Sequence, residues 1–585
     1  MLCRDLPFPL PLVYACRRRE SLSGPDEQTT PLTKKQSMMK KLFVICAWTL
    51  LLGGCESDSG NGPGDVPPPS VDPVSPELKQ KIEDLNAGLV TLRELTGAVL
   101  RSAVGAVTEG DAGTLIAFRD GTEVTVACDA EAAGAPLIGI AADEEVYYWT
   151  LAAEKDAPWL KDASGARMPV SGAVPVTDVD EEGYWTVAAG EAAPWRIVDA
   201  AGEPIEASEE VQAAQFRSVT MAEGRVKVVL TGGGELSAAK VDGLSAAGTA
   251  NCYVVSTPGT YAFNAKVRGN GAGEAASAGF DPAIEIADGM KADWIWTDRE
   301  GLVSDVVLDK ESGEIVFTVG EGRGNALVAL VQEDAIVWSW HIWVTDAPQT
   351  MAYENGVVFM DRNLGAVGTT VGGTDAYGMY YQWGRKDPFY WGTKTSTSAT
   401  PFDEVKELTV VNPAYAALTW SLVKVAVTPE AAAANPMTFY NNTVGTGSNW
   451  LAKPSAKLWG EAKTLNDPCP PGYKVPDIDA WENLSLGRDY IDGVSAWDVE
   501  NYGVTYTYNG QTAWYPGQGY RMYSTGAIVG QRASSGGSGG YWSSKATAVK
   551  AYYLYVKKRI STSGSINPEL DVHRSYGYTV RCCKE

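Results

Sequence analysis

Two histidines, nine cysteines and a large surplus of carboxylates are the side chains from which this 585-residue chain would have to build any chemistry. His341 and His573 lie 232 residues apart. That excludes zinc sites made of closely spaced His pairs, and HExxH-type hydrolases. A Cys–His nucleophile pair needs a nearby imidazole, and the C-terminal part offers only His573. We read no serine elbow beside it. Asp178-Val179-Asp180-Glu181-Glu182-Gly183 has the front of a calcium loop. Its twelfth position is Ala189, where a bidentate Glu belongs, so an EF-hand is excluded. Paired carboxylates could serve a glycosidase. In a chain of net charge −24, however, most Asp and Glu are solvated surface. The chain is therefore read as non-enzymatic, with no catalytic residue, no metal ligand and no cofactor.

The elements that would position a binding surface are short. Apolar residues make up 45% and aromatics 10%, with 19 Trp, 27 Tyr, 62 Gly and 32 Pro. Wholesale disorder is excluded, and many strands joined by turns are favoured over long helices. Length predicts about four domains. The acidic balance, with no visible basic patch, argues against nucleic acid.

Lys40-Lys41, the apolar run Leu42 to Leu52 and Gly53-Gly54 have the order of a secretory signal. The run is too short to span a bilayer. Leu52-Gly53-Gly54-Cys55 resembles the lipobox of bacterial lipoproteins. That resemblance implies cleavage before Cys55, lipidation of its sulfur and an outer-membrane anchor. Residues 1–54 are the expected leader, with translation expected to start at Met38 or Met39. They hold eight of the 48 basic and four of the 72 acidic residues, so the remainder carries −28. Glu56 and Asp58 resemble the acidic surface-export tags of Bacteroidota lipoproteins. Residues 55–76, rich in Gly, Pro and Ser, read as a disordered tether.

Ser75-Pro76 has the signature of an N-cap and first helical residue. Leu78, Ile82, Leu85, Leu89 and Leu92 then form a short heptad seam, which either packs on its own domain or makes an oligomeric coil. Thr114 to Ala127 reads as a hairpin about Asp120-Gly121, and the pattern returns near Arg225–Ala239. Between these hairpins Tyr148, Trp149 and Trp159 recur as Tyr184, Trp185 and Trp195, a duplicated β-hairpin module. Its aromatics are read as core. The heptad helix, the Phe-x-Asp-Gly-Thr hairpin and the Tyr-Trp-Thr repeats together resemble an uncharacterised coiled-coil/β-hairpin domain of Bacteroidota surface lipoproteins. The resemblance implies a stalk-like module over residues 77–240.

Residues 241–347 show short strands (Cys252–Val255, Tyr261–Phe263, Val306–Leu308, Ile315–Val319, Ala326–Leu330, Ile336–Val344) and read as an immunoglobulin-like β-sandwich. His341 is read as structural. Residues 350–585 carry Asp361-Arg362-Asn363-Leu364-Gly365, Tyr380-Tyr381-Gln382-Trp383-Gly384-Arg385, Asp467-Pro468-Cys469-Pro470-Pro471-Gly472-Tyr473 and Tyr541-Trp542-Ser543-Ser544. They end on Gly577-Tyr578-Thr579-Val580-Arg581-Cys582. This ordered set resembles the Fibrobacter succinogenes major paralogous domain, which implies a looped α+β, C-type-lectin-like body whose termini meet in one sheet. The lectin calcium motifs are absent. The expected fold is thus multidomain and mainly β.

Export puts the cysteines in an oxidising compartment. Adjacent strand residues face opposite ways, so only one of Cys582 and Cys583 can meet Cys469. The family-like ending selects Cys582. Trp497, Trp514, Tyr515 and Tyr520, in a loop-like stretch, are the candidate ligand-binding residues. The leading expectation is a surface lipoprotein acting as an adhesin or recognition module, capturing glycan or a partner-cell surface protein, or associated with fimbriae. The alternatives are a structural stalk, self-associating through the heptad helix, and a polysaccharide-processing enzyme.

Overall fold

The computed structural model describes residues 74–585, except 133–134, 145, 152–158, 163, 191, 200, 209, 223, 272–279, 393–401, 443–448, 532–536, 548 and 559–565. Cys55, residues 1–54 and all but the end of the 55–76 tether lie outside the described residues. The described chain is mainly β, arranged in many separate sheets with no barrel.

The one long helix, Pro76–Arg101, begins where its capping residues require. Ser75 accepts the Leu78 amide through its hydroxyl, and Pro76 needs no donor there. Leu85, Leu89, Leu92, Leu95 and Ala98 are fully buried. They pack in one apolar cluster with Ile116, Phe118, Val124, Trp149, Trp185 and Leu236. The seam is thus covered by hairpins of the same chain. The leucines of the seam are packed within the chain. Gly88 sits in the seam for a packing reason: a Cβ there would lie 2.7 Å from Gln215 Cγ.

The repeat is real in the backbone. The Trp149 amide donates to the Met168 carbonyl, Leu160 to Trp149 and Met168 to Leu160, which closes a ring of three bonds. Trp185, Ile197 and Ile205 form the same ring in the second unit. The Asp162 and Asp199 carboxylates each accept two backbone amides at matching tips. Trp149 and Trp185 are fully buried, so each unit wraps three short strands around one indole.

Two stacked sheets follow. One pairs Val241–Gly243, Gly259–Asn264, Glu314–Val319 and Val303–Asp309. The other orders Cys252–Val255, Ala335–Val344, Gly324–Gln332 and Lys291–Thr297. Phe263, Phe317, Val328, Trp338 and Trp340 fill the space between them. Lys291–Thr297 is a strand that the sequence reading lacks. Turns at Asp288-Gly289 and Glu300-Gly301 bound it, and a register shift interrupts it between Trp294 and Trp296.

Ala335–Val344 is buried on both faces. Trp338, Trp340 and Ile342 face the partner sheet, whereas Trp343 joins a second cluster with Trp383, Phe389, Trp420 and Phe439. Val410–Val411 even adds a fifth strand to this sheet, opposite Trp296 and Thr297. The chain therefore crosses 347–350 without a break in its apolar core. Beyond that point a sheet in the order Thr350–Ala352, Val358–Met360, Cys583–Lys584 and Tyr473–Lys474 places Phe359 beside Cys583, one strand over from residue 350. A seven-stranded sheet carries Tyr380–Gln382, Gly577–Thr579, Gln518–Arg521, Ile528–Val529, Ser538–Ala546, Lys550–Lys557 and Ile566–His573.

Candidate functional site: a tyrosine strip on the terminal sheet

Of the four aromatic residues singled out from the sequence, Trp514 and Tyr515 are buried and Trp497 and Tyr520 are half-buried. The stretch is not a loop. Ser495–Asp498, Gly503–Tyr508 and Gln511–Pro516 form an antiparallel sheet, and this corrects the loop-like reading. The glycines that suggested a loop make room for rings. Trp514 fills the space where Gly503 would carry a Cβ, and a Cβ on Gly517 would lie 2.9 Å from Trp497. Tyr515 is fully buried; its hydroxyl is 2.5 Å from that of Tyr353, and the Arg581 guanidinium lies 4.0 Å from its ring centre. Trp514 is buried, and its carbonyl accepts from Arg581. Trp497 is half-buried. Trp514 and Tyr515 offer no open face to a ligand.

Tyr520 is different. It stands on Gln518–Arg521 in the seven-stranded sheet, 5.7 Å from the ring of Tyr576 and 5.2 Å from that of Tyr578. Tyr576, Tyr578 and Tyr553 form a column of nearly parallel rings, with interplanar angles of 6° and 11°. Tyr523 closes one end of the column against Tyr576 at 4.9 Å and reaches the His573 ring at 6.0 Å. Tyr555 extends the other end, next to Tyr553 and beneath the Lys557 ammonium. Tyr520, Tyr523, Tyr555, Tyr576 and His573 are half-buried, so the strip borders solvent. The hydroxyls of these four tyrosines have no hydrogen-bond partner among the described residues. Burial, and then the nearby Tyr520 and Tyr523, push Tyr576 up to about 12. Burial, then Lys550, lowers His573, which holds its imidazole neutral. The sequence carries a signal for this strip in Tyr552-Tyr553-Leu554-Tyr555 and Tyr576-Gly577-Tyr578, aromatic residues at strand alternation.

Chemistry elsewhere is structural. His341 is buried, its Nε2 2.9 Å from Asn325 Oδ1, and burial lowers its pKa to about 3. Asn325 in turn donates its backbone amide and Nδ2 to Asp298, whose carboxyl burial raises to about 6. Gly536-Gly537-Ser538-Gly539-Gly540 does have the letters of a nucleophile elbow, which corrects the reading of no such motif. Its geometry is wrong for one: Ser538 opens the strand Ser538–Ala546 rather than a strand-to-helix turn. Among the described residues no three His, Cys, Asp or Glu side chains are grouped as metal ligands would be.

Cys469 and Cys582 are bonded, with Cα atoms 6.0 Å apart. Cys582 belongs to the cluster containing Trp383 and Cys583 to the one containing Trp481, on opposite sides of the strand. The loop is also held without sulfur. The Lys463 ammonium donates to the Cys469, Pro470 and Tyr473 carbonyls, and Asp467 accepts the Cys469 and Val475 amides. Cys583 is a buried thiol, pushed up to about 12 by that burial.

No protein-family model matches this sequence, and no curated protein matches it. The class that the fold defines is therefore a mainly β protein of many small sheets, with a half-open tyrosine strip on its C-terminal sheet.

Proposed function

We propose that this chain is a non-enzymatic recognition lipoprotein, anchored in the outer membrane through Cys55 and displayed at the cell surface. The observation that carries the reading is the order Lys40-Lys41, an apolar run, Leu52-Gly53-Gly54-Cys55, then a Gly/Pro-rich tether ahead of a strongly acidic body. Multiple acyl chains on Cys55 would hold it to the membrane. In this reading the helix and repeat module lift an immunoglobulin-like sandwich and a C-type-lectin-like terminal domain away from the bilayer. The joined core of the last two favours one rigid head rather than two modules on a linker. The head captures glycan or a protein on a neighbouring cell. Intact-mass analysis of the native protein should show an acylated Cys55 as its first residue. Protease treatment of whole cells should remove the head. An unmodified Cys55, or protection until the outer membrane is opened, refutes the proposal.

A further inference from the structure

The charge of the chain is unevenly distributed. Residues 501–585 hold ten of the 48 Lys and Arg but only three of the 72 Asp and Glu. That stretch carries +7, and the first 500 residues carry −31. The chain-wide balance conceals this difference between segments. Part of the charge is fixed beneath the terminal sheet. Arg574 donates to the Ser455 and Thr547 carbonyls, and Arg581 to Asn363 and the Trp514 carbonyl. Among the described residues neither has a carboxylate within 4.0 Å. Burial lowers Arg574 to about 10, so it still carries its charge at neutral pH. On the strip's own face Lys557 stands over Tyr555, whereas Lys550 lies on the opposite face of the same strand, with Tyr552, and pairs with Asp571. The Lys550–Asp571 contact of 2.9 Å is partly exposed and holds Lys550 only weakly.

We propose that the tyrosine strip is a binding site for an acidic polysaccharide. The free hydroxyls of Tyr520, Tyr523, Tyr555 and Tyr576 meet sugar hydroxyls, and the Lys557 ammonium over Tyr555 meets a uronate carboxylate. The inference names the ligand class for the recognition reading above and rests on it. Three features select a glycan. The column is closed face to face, so it offers ring edges and hydroxyls, whereas single-stranded nucleic acid needs open faces for its bases. The only exposed large apolar side chain among the described residues of 501–585 is Val549, too little to insert into a bilayer. Among the described residues of 501–585 the cations open to solvent are lysines, point charges suited to carboxylates spaced along a flexible chain.

The test uses the purified full chain in affinity electrophoresis against polygalacturonate, neutral dextran, a thirty-nucleotide oligo-dT and vesicles containing phosphatidylglycerol. Polygalacturonate should retard the protein, less so as salt rises, and dextran should not. Lys557→Gln should weaken retardation several-fold, and Lys550→Gln, on the opposite face of the strand, should leave it unchanged. Tyr523→Phe/Tyr576→Phe keeps both rings and removes two hydroxyls, and should weaken it several-fold with unchanged thermal unfolding. Retardation by polygalacturonate that neither Lys557→Gln nor Tyr523→Phe/Tyr576→Phe alters places a glycan elsewhere: the strip proposal fails and the recognition reading survives. Stronger binding of oligo-dT or vesicles, equal retardation by dextran, or no retardation at all also overturns the strip. The lipid and protease measurements decide the surface reading independently.

Discussion

Cutting the Cys469–Cys582 bond should cost more stability than any other single cysteine change in the described chain. The bond spans 113 residues. The chain-entropy model assigns a loop of that size about 5 kcal/mol at 25 °C, before any native strain is subtracted. Cys582→Ser also leaves a hydroxyl among Trp383, Trp459 and Cys469, which adds to the loss. The opposing contribution is the Lys463 and Asp467 scaffold, which keeps the Cys469 loop near the final strand without the bond. That scaffold acts in the folded state, whereas the bond acts mainly on the unfolded one, so the two do not substitute for each other. We expect Cys469→Ala/Cys582→Ala to lose about 3–5 kcal/mol in urea titrations followed by tryptophan emission. Cys583→Ala, which deletes one small buried group against Trp481, should lose about 1 kcal/mol. Non-reducing peptide mapping should yield a Cys469–Cys582 peptide. A Cys469–Cys583 peptide, or equal losses in the two variants, would show that the faces of the last strand are misassigned.

Gly88→Ala would gain about 1 kcal/mol from helix propensity alone. Because its Cβ must displace Gln215 at 2.7 Å, we expect a net loss of about 1 kcal/mol, and a raised melting temperature would refute the packing account. Buried Lys386 donates to Ser339 and pairs with buried Asp387, so Lys386→Ala should cost about 3–5 kcal/mol, and Lys386→Met/Asp387→Leu should recover most of it. Equal losses in both variants would mean that the cost was shape rather than stranded charge. His341, depressed to about 3, should lose stability as pH falls from its unfolded value of 6.5. Asp298, raised to about 6, should gain stability as pH falls from 6 toward 3.8, and each contributes about 1.4 kcal/mol per pH unit. The two nearly cancel between pH 4 and 6, so Asp298→Asn should expose the His341 loss; a variant that tracks the parent across that range refutes the pairing.

The sequence is most informative where one physical signal governs. Ser75-Pro76 sets the helix start because capping is local. The 36-residue return of Tyr148, Trp149 and Trp159 exposes the repeat because each unit needs one indole at its centre. Six strands of the sandwich are legible from alternation. The two-sided burial of Ala335–Val344 is not. Ser339, His341 and Thr345 alternate with the inward tryptophans, yet all three are buried. Ser339 faces Asp387 and Thr345 accepts from Arg362, both in the C-terminal part, and His341 faces Asn325 on the next strand. A polar residue in a strand reads as solvent-facing until its partner in another element is known.

The same limit explains the candidate site. Trp497, Trp514 and Tyr515 draw attention because glycines surround them, and glycine marks a turn as readily as it marks a place where a ring presses on backbone. At Gly503 and Gly517 the second cause holds. Tyr523, Tyr555 and Tyr576 escape a reading along the chain because they sit in separate segments and meet only across the sheet. Charge misleads for a related reason. A net charge averages over length, while a ligand samples only what faces it. Ten cations gathered in the last 85 residues vanish inside a chain of −24. Taken segment by segment, the same count sets residues 501–585 apart from everything that precedes them, and it is those residues that carry every tyrosine of the strip.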